Sequence, residues 1–242
     1  MDCEQIRVPR CLCHRDCSEL TSTELHVFSD ASADAYGAVA YARCTYDSET
    51  LSCNLICAKT KVAPLESVSI PRLELMAAVL ALNLATSVAP VLGITVSNVT
   101  FWSDSMNVLC WIRNRSRAYK PFVANRVGQI QTVTIPNQWR YVPTKLNPAD
   151  IASRGLSVKN LTCHPLWWSG PKFLTMGPSS WPAHDVKSSA ETVSEVKKSV
   201  QDATTLLVSS CATAKTVKLI DRVSIFELDM ISSCVFVDVE IC

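Results

Sequence analysis

The chain has no apolar core near its start that would mark a secretory signal; it opens Met1-Asp2-Cys3-Glu4-Gln5. Without an export signal, the 12 scattered cysteines read as reduced thiols of an intracellular protein rather than as a disulfide framework. The cluster Cys11, Cys13, His14 and Cys17 lacks a second ligand pair nearby, so a tetrahedral zinc site is disfavoured there. Charge is missing altogether from Leu75 to Ser103. Such a run invites a transmembrane reading, but Asn83, Pro90, Gly93 and Asn98 interrupt it. Pro90 and Gly93 stand where a soluble helix would stop and a strand begin, so a buried helix, a turn and a central strand are expected, with no membrane partner.

What is present is enough apolar sequence for a core: 48% hydrophobic residues in 242, at a net charge of +1. Residues 1–22 show no periodicity and read as a connector. Glu24–Ser29 is a short strand candidate running straight into Asp30. Tyr36–Tyr46 and Leu51–Lys59 are two more, joined by the polar turn Asp47–Thr50 into a hairpin. Arg72–Ala89 is rich in Leu, Met and Ala and predicts a helix, with Pro71 at its first position. A strand at Val99–Ser103 then leads into Asp104, followed by a helix through Ile112. A helix over Phe122–Val133, a strand at Trp139–Val142 and a short helix at Asn147–Ser153 complete the pattern. Three hairpin-linked strands followed by alternating helices and strands predict an α/β domain over residues 23–160, a mixed five-stranded sheet with helices on both faces. Residues 161–242 read as a C-terminal extension, aromatic and proline-marked at Trp167–Pro171 and Trp181-Pro182, then polar and partly flexible over Ser188–Ser210.

Four acids stand out by position. Asp30 and Asp104 each end a short hydrophobic strand, Glu74 lies in the first turn of the intervening helix, and Asp150 opens the last one. Strand ends beside a topological switch are where open α/β sheets bind ligands. Carboxylates gathered there repel one another and need cations; hard oxygen ligands favour Mg²⁺. Two such ions can activate a water and stabilise a leaving oxygen in phosphodiester hydrolysis. The competing reading is helix capping and dipole complementation, which suffices for any one of these acids alone.

The local motifs separate the two. Phe28-Ser29-Asp30-Ala31-Ser32, Arg72–Ala78 (RLELMAA), Trp102-Ser103-Asp104-Ser105 and Asn147-Pro148-Ala149-Asp150 occur in the order of a type 1 RNase H. Ala58–Pro64, Ile70–Leu75, Phe122–Val127, Asn147–Gly155 and Trp167–Pro171 narrow the likeness: from about Arg10 to Leu174 the chain resembles the RNase H region of Bel/Pao-type LTR retrotransposon polyproteins. The resemblance implies an RNase H-like fold and a metal-dependent endonuclease that cuts the RNA strand of RNA–DNA hybrids with two Mg²⁺ ions, for which Mn²⁺ substitutes. It implies that Asp30 bridges both metals, that Glu74 and Asp104 complete the ion that positions water, and that Asp150 binds the other. Ser32 and Ser105, just after two of these acids, are substrate-contact candidates. Reverse transcriptase and integrase regions of a parent polyprotein are the implied protein partners, and the chain resembles a fragment or relic of such a polyprotein. Two departures stand against the pattern: Arg140–Lys145 carries none of the histidine that RNase H enzymes often place before the last aspartate, and His164 lies beyond Asp150.

Charge placement bears on the same question. Between Ser105 and Ala149 no Asp or Glu occurs, while Arg113, Arg115, Arg117, Lys120, Arg126, Arg140 and Lys145 do. An all-basic stretch beside an acidic site suits a polyanion held by phosphate contacts, with Arg113, Arg115, Arg117, Lys120 and Arg126 as candidate nucleic-acid-binding residues. Trp111 and Tyr119 lie among them and are either base contacts or core. The alternative to an active nuclease is a catalytically decayed nucleic-acid-binding or structural remnant of the same polyprotein. An aspartic peptidase is excluded, because Asp30-Ala31-Ser32 and Asp104-Ser105-Met106 both lack the Asp-Ser-Gly or Asp-Thr-Gly turn.

Overall fold

In the computed structural model, residues 20–47, 50–183 and 190–197 are described. The Cys11–Cys17 cluster, most of the expected connector and the segment beyond 197 lie outside them. Three long strands come first: β1 (Leu20–Ala31), β2 (Ala35–Tyr46) and β3 (Leu51–Val62). They pair antiparallel in sequence order. Helix α1 (Ile70–Val88) then crosses to β4 (Thr100–Ser103), which pairs parallel with β1, and β5 (Trp139–Tyr141) pairs parallel with β4. The sheet order is β3-β2-β1-β4-β5. Between β4 and β5 run α2 (Met106–Arg113) and α3 (Pro121–Val133); α4 (Ala149–Arg154), α5 (Val158–Thr162), α6 (Pro165–Ser169) and α7 (Ala190–Ser194) follow.

The alternation of β1 explains the layering. Leu25 and Val27 face one side with Ala38 and Ala40 of β2, and α1, α2 and α3 cover them. The buried residues of α1 include Leu73, Ala77, Leu80, Ala81 and Ala85, which recur at helical spacing. With the turn after it, Ile70–Leu92 is long and apolar enough to cross a membrane, but this buried stripe accounts for much of its apolarity. Pro71 occupies the first turn of α1 and Gly93, at φ 66°, ends the short turn after it.

The opposite face carries Phe28, Val39, Tyr41 and Trp102, and its cover comes from α4 and from residues past the expected boundary at 160: Trp167, Phe173, Leu174 and Trp181. Polar groups on β2 tie this segment down. The Tyr41 hydroxyl lies 2.7 Å from the Trp167 carbonyl, and Arg43 Nε donates to the Leu174 carbonyl at 2.7 Å. Gly170 sits at φ 66°, and a Cβ there would come within 3.2 Å of both Cys53 Sγ and the Tyr41 ring, so the Trp-Trp-Ser-Gly-Pro run carries its glycine for close approach. The described cysteines Cys44, Cys53, Cys57, Cys110 and Cys163 are free thiols. Burial pushes Cys53 up to about 12 and Cys57 up to about 11, which keeps both protonated and unreactive.

His26, fully buried on this second face, accepts from Trp102 Nε1 at 3.2 Å through Nδ1. The proton of a neutral ring therefore sits on Nε2, 3.3 Å from Glu24 Oε2. Burial holds His26 below its ordinary value, partly offset by Glu24. A depressed folded-state pKa means that below about pH 6.5 the unfolded chain takes up a proton the native chain refuses, so this site's stability is lost as pH falls. Thermal melts between pH 7.5 and 5 should show a downward slope in the wild type that His26→Gln flattens; an unchanged slope contradicts the buried neutral imidazole.

Candidate active site

Strand register builds the site. Ser29 of β1 stands opposite Ser103 of the parallel β4. Asp30 and Asp104, the next residues on each, therefore emerge side by side at one sheet edge. Glu74 reaches this edge from the second turn of α1, not the first as expected, because α1 starts at Ile70 rather than Arg72. Its Oε2 accepts from Ser105 Oγ at 2.6 Å, and Ser105 also caps α2, accepting from the Val108 amide. Asp150 arrives in the first turn of α4, as expected. Helix α4 comes close to the sheet because β2 carries Gly37 opposite Asp30; a Cβ at Gly37 would lie 2.9 Å from that of Ala152.

The electrostatics follow from this gathering. Asp30, 6% exposed, has its carboxyl pushed up to about 6, first by burial and then by the negative charges of Asp104 and Asp150, against the Ser153 hydrogen bond that lowers it. Ser153 Oγ donates to Asp30 Oδ2 at 2.5 Å. Asn147 Nδ2 reaches both the Ser29 carbonyl at 3.1 Å and Asp104 Oδ1 at 3.2 Å, while its Oδ1 accepts from the Ala149 amide. Asp150 accepts from Arg154 Nε at 2.7 Å, the i,i+4 pair of α4. Each of the four carboxylates is thus turned toward a protein donor. Among the described residues no group of three or more His, Cys, Asp or Glu side chains is drawn tightly enough to hold a metal ion as it stands. The four side chains offer carboxylate oxygens only, the donor type that hard divalent cations take.

The remaining expected site residues divide. Ser32 is buried and its hydroxyl donates to the Ser153 carbonyl at 2.7 Å and accepts from the Asp34 and Ala35 amides; it ties the end of β1 to α4. Ser105 holds Glu74 rather than standing open to substrate. Arg113, Arg115, Arg117 and Lys120 are exposed at and beyond the far end of α2, roughly 12 Å along the helix from the acidic edge. Arg126 is half-buried, its guanidinium 3.6 Å from the Phe122 ring centroid. Trp111 and Tyr119 are both buried in the core. Two residues that matter here, Asn147 and Ser153, are not among those singled out from sequence, although both lie inside the Asn147–Gly155 motif that was.

Known proteins are similar to parts of the chain. Residues 1–105 match the model described as Pao retrotransposon-like RNaseH-like domain. Solved structures similar to the chain are RNase H domains. One is the N-terminal RNase H domain of a Mycobacterium tuberculosis protein (TM-score 0.35, 14% identity, 55% of this chain and 94% of that one). Others are an RNase H1 isolated from compost (TM-score 0.35, 14% identity, 52% and 90%) and RNase H1 of Halobacterium salinarum (TM-score 0.32, 12% identity, 52% and 90%). No curated protein matches the chain. The Pao-like region contains Asp30, Glu74 and Asp104; Asp150 and the whole basic run follow it. The mixed sheet combines antiparallel hairpin strands with two parallel additions, the α/β architecture expected from the sequence.

Proposed function

We propose that this Pao-like domain is a metal-dependent endonuclease that hydrolyses the RNA strand of RNA–DNA hybrids. The observation that carries the reading is the convergence of Asp30, Glu74, Asp104 and Asp150 from four separate elements on one sheet edge, with the Asp30 carboxyl pushed up first by burial and then by its acidic neighbours. Burying mutually repelling carboxylates is costly for a fold, and the cost is intelligible where cations are to be bound. Asp30, Glu74, Asp104 and Asp150 would hold two Mg²⁺ or Mn²⁺ ions, which would supply an acidified water and charge neutralisation at the leaving oxygen.

The chain's own groups do the rest. Ser105 holds Glu74, Asn147 holds Asp104 against the end of β1, and Ser153 holds Asp30, so the oxygens are fixed before substrate arrives. The exposed Arg113, Arg115 and Lys120 supply phosphate contacts without reading sequence. Selectivity for RNA rests on 2′-hydroxyl contacts. The missing loop histidine slows turnover without abolishing it, since the carboxylates and their cations provide the main electrostatic stabilisation.

A labelled hybrid incubated with the purified chain tests this. RNA cutting is expected with Mg²⁺ or Mn²⁺, none with EDTA, and none for Asp104→Asn. Salt-sensitive hybrid binding without cutting under any metal would favour the decayed, nucleic-acid-binding remnant instead.

A further inference from the structure

Beside the acidic edge lies a second, cationic surface with an occupant already on it. Arg72, two residues before Glu74, has its guanidinium 5.0 Å from the centroid of the Phe122 ring, and Arg126 lies 3.6 Å from the same centroid. The two guanidinium groups are close enough for each to feel the other's charge. Arg72 donates through Nε and Nη2 to the two oxygens of Glu195, at 2.9 and 3.1 Å. This paired geometry is the one a guanidinium adopts with a phosphate as readily as with a carboxylate. Among the described residues Arg126 makes no ion pair; its guanidinium lies on the Phe122 ring beside the Arg72–Glu195 pair.

The rest of the 190–197 segment lies against α2 and residues 118–120, with Val196 packed on the core. Val196 forms an isolated antiparallel bridge to Tyr119. The Lys120 amide donates to the Glu195 carbonyl at 2.8 Å and the Lys197 amide to the Ala118 carbonyl at 2.9 Å. Thr192 Oγ1 lies 2.6 Å from Asn107 Oδ1, three residues past Asp104. The segment therefore runs between the acidic edge and the exposed basic stretch, across the line that a nucleic-acid backbone joining the two would take. A five-residue helix does not hold by itself, so the segment's place depends on these contacts and on the Arg72–Glu195 pair.

We propose that the segment around Glu195 is an internal competitor for the nucleic-acid backbone: its carboxylate stands in for a phosphate on Arg72 beside Arg126, and hybrid binding displaces it. This rests on the nucleic-acid-binding reading above and adds a latch to it.

The test uses the full chain in EDTA and a fluorescent 20-base-pair RNA–DNA hybrid, with binding followed by anisotropy at several salt concentrations. Glu195→Gln should bind with a roughly three- to tenfold lower Kd, the factor by which a closed latch reduces the competent population, and with a steeper salt dependence as one more phosphate is neutralised. Adding Arg72→Gln to that variant should remove the gain. In the wild type, the Lys120 and Lys197 amides should exchange hydrogen faster once hybrid is bound, a readout that stands even if Glu195→Gln folds poorly. If the wild type binds while Glu195→Gln binds no tighter, or if both amides stay protected in the complex, the latch is overturned and the nucleic-acid reading survives. If neither protein binds hybrid at low salt, both readings fall.

Discussion

Replacing Asp30 by Asn should abolish cleavage and at the same time make the protein more stable. The isosteric amide keeps an oxygen to accept from Ser153 but removes a charge that the fold holds at a disadvantage. Asp30 has its pKa raised from 3.8 to about 6. A raised carboxyl pKa means that the native chain binds its proton more tightly than the unfolded chain does. This site's contribution to stability therefore falls as pH rises from about 4 to 6, and the full penalty remains above that. By linkage the penalty at pH 7.5 is on the order of 2–3 kcal/mol. Melts in EDTA should place Asp30→Asn above the wild type at pH 7.5, with the gap closing below pH 4. Activity should drop at least about a thousandfold if, as proposed, this carboxylate carries the cations. A variant that is inactive but no more stable would mean that the acidic edge is not under electrostatic strain.

Asn147→Ala should be the most damaging change among residues outside the four acids. Asn147 is 1% exposed and connects three elements through one side chain: the end of β1, Asp104 after β4, and the first amide of α4. Truncation leaves the Ser29 carbonyl and the Ala149 amide without these partners in a buried setting, a loss of roughly 2–4 kcal/mol. It also frees Asp104 and lets α4 shift, so cleavage should fall by about a hundredfold or more from misplacement alone. Asn147→Asp separates the two effects. It keeps the acceptor for Ala149 but cannot donate to Ser29 or Asp104, and it adds a fifth negative charge to the edge. It should therefore be worse than Ala in activity, and its deficit should shrink as pH falls. Equal activities for the two variants would reduce Asn147 to a structural peg.

These expectations show where sequence was informative. The apolar stretches running into Asp30 and Asp104, the apolar run at 75–103 and the spacing of Val123, Val127 and Ile130 placed the sheet and its first cover, because burial imposes periods of 2 and 3.6 that single residues carry. The four acids were legible because strand ends and helix starts are themselves legible. Tertiary partnerships were not. Asn147 looks like a turn residue and Ser153 like a helix residue until α4 is laid against β1, and only Gly37 hints at how closely it lies. Ser32 and Ser105 were expected at the substrate, yet their neighbours on other elements use them to brace the site. The extension was read as an appendage from residue 161, although Tyr41 and Arg43 on β2 have polar tips that need carbonyls on their covered face, and residues 165–176 supply them. The pairing of Arg72 with Glu195 spans too much sequence for any local pattern to reveal it.

The central claim, that this edge of carboxylates is built to hold divalent cations, is tested most directly by calorimetric titration of Mn²⁺ into the full chain at pH 7.5. Saturable binding that Asp30→Asn and Asp104→Asn each abolish or weaken at least about tenfold is the predicted result. Binding of the same strength in wild type and both variants, or none in any of them, would contradict it.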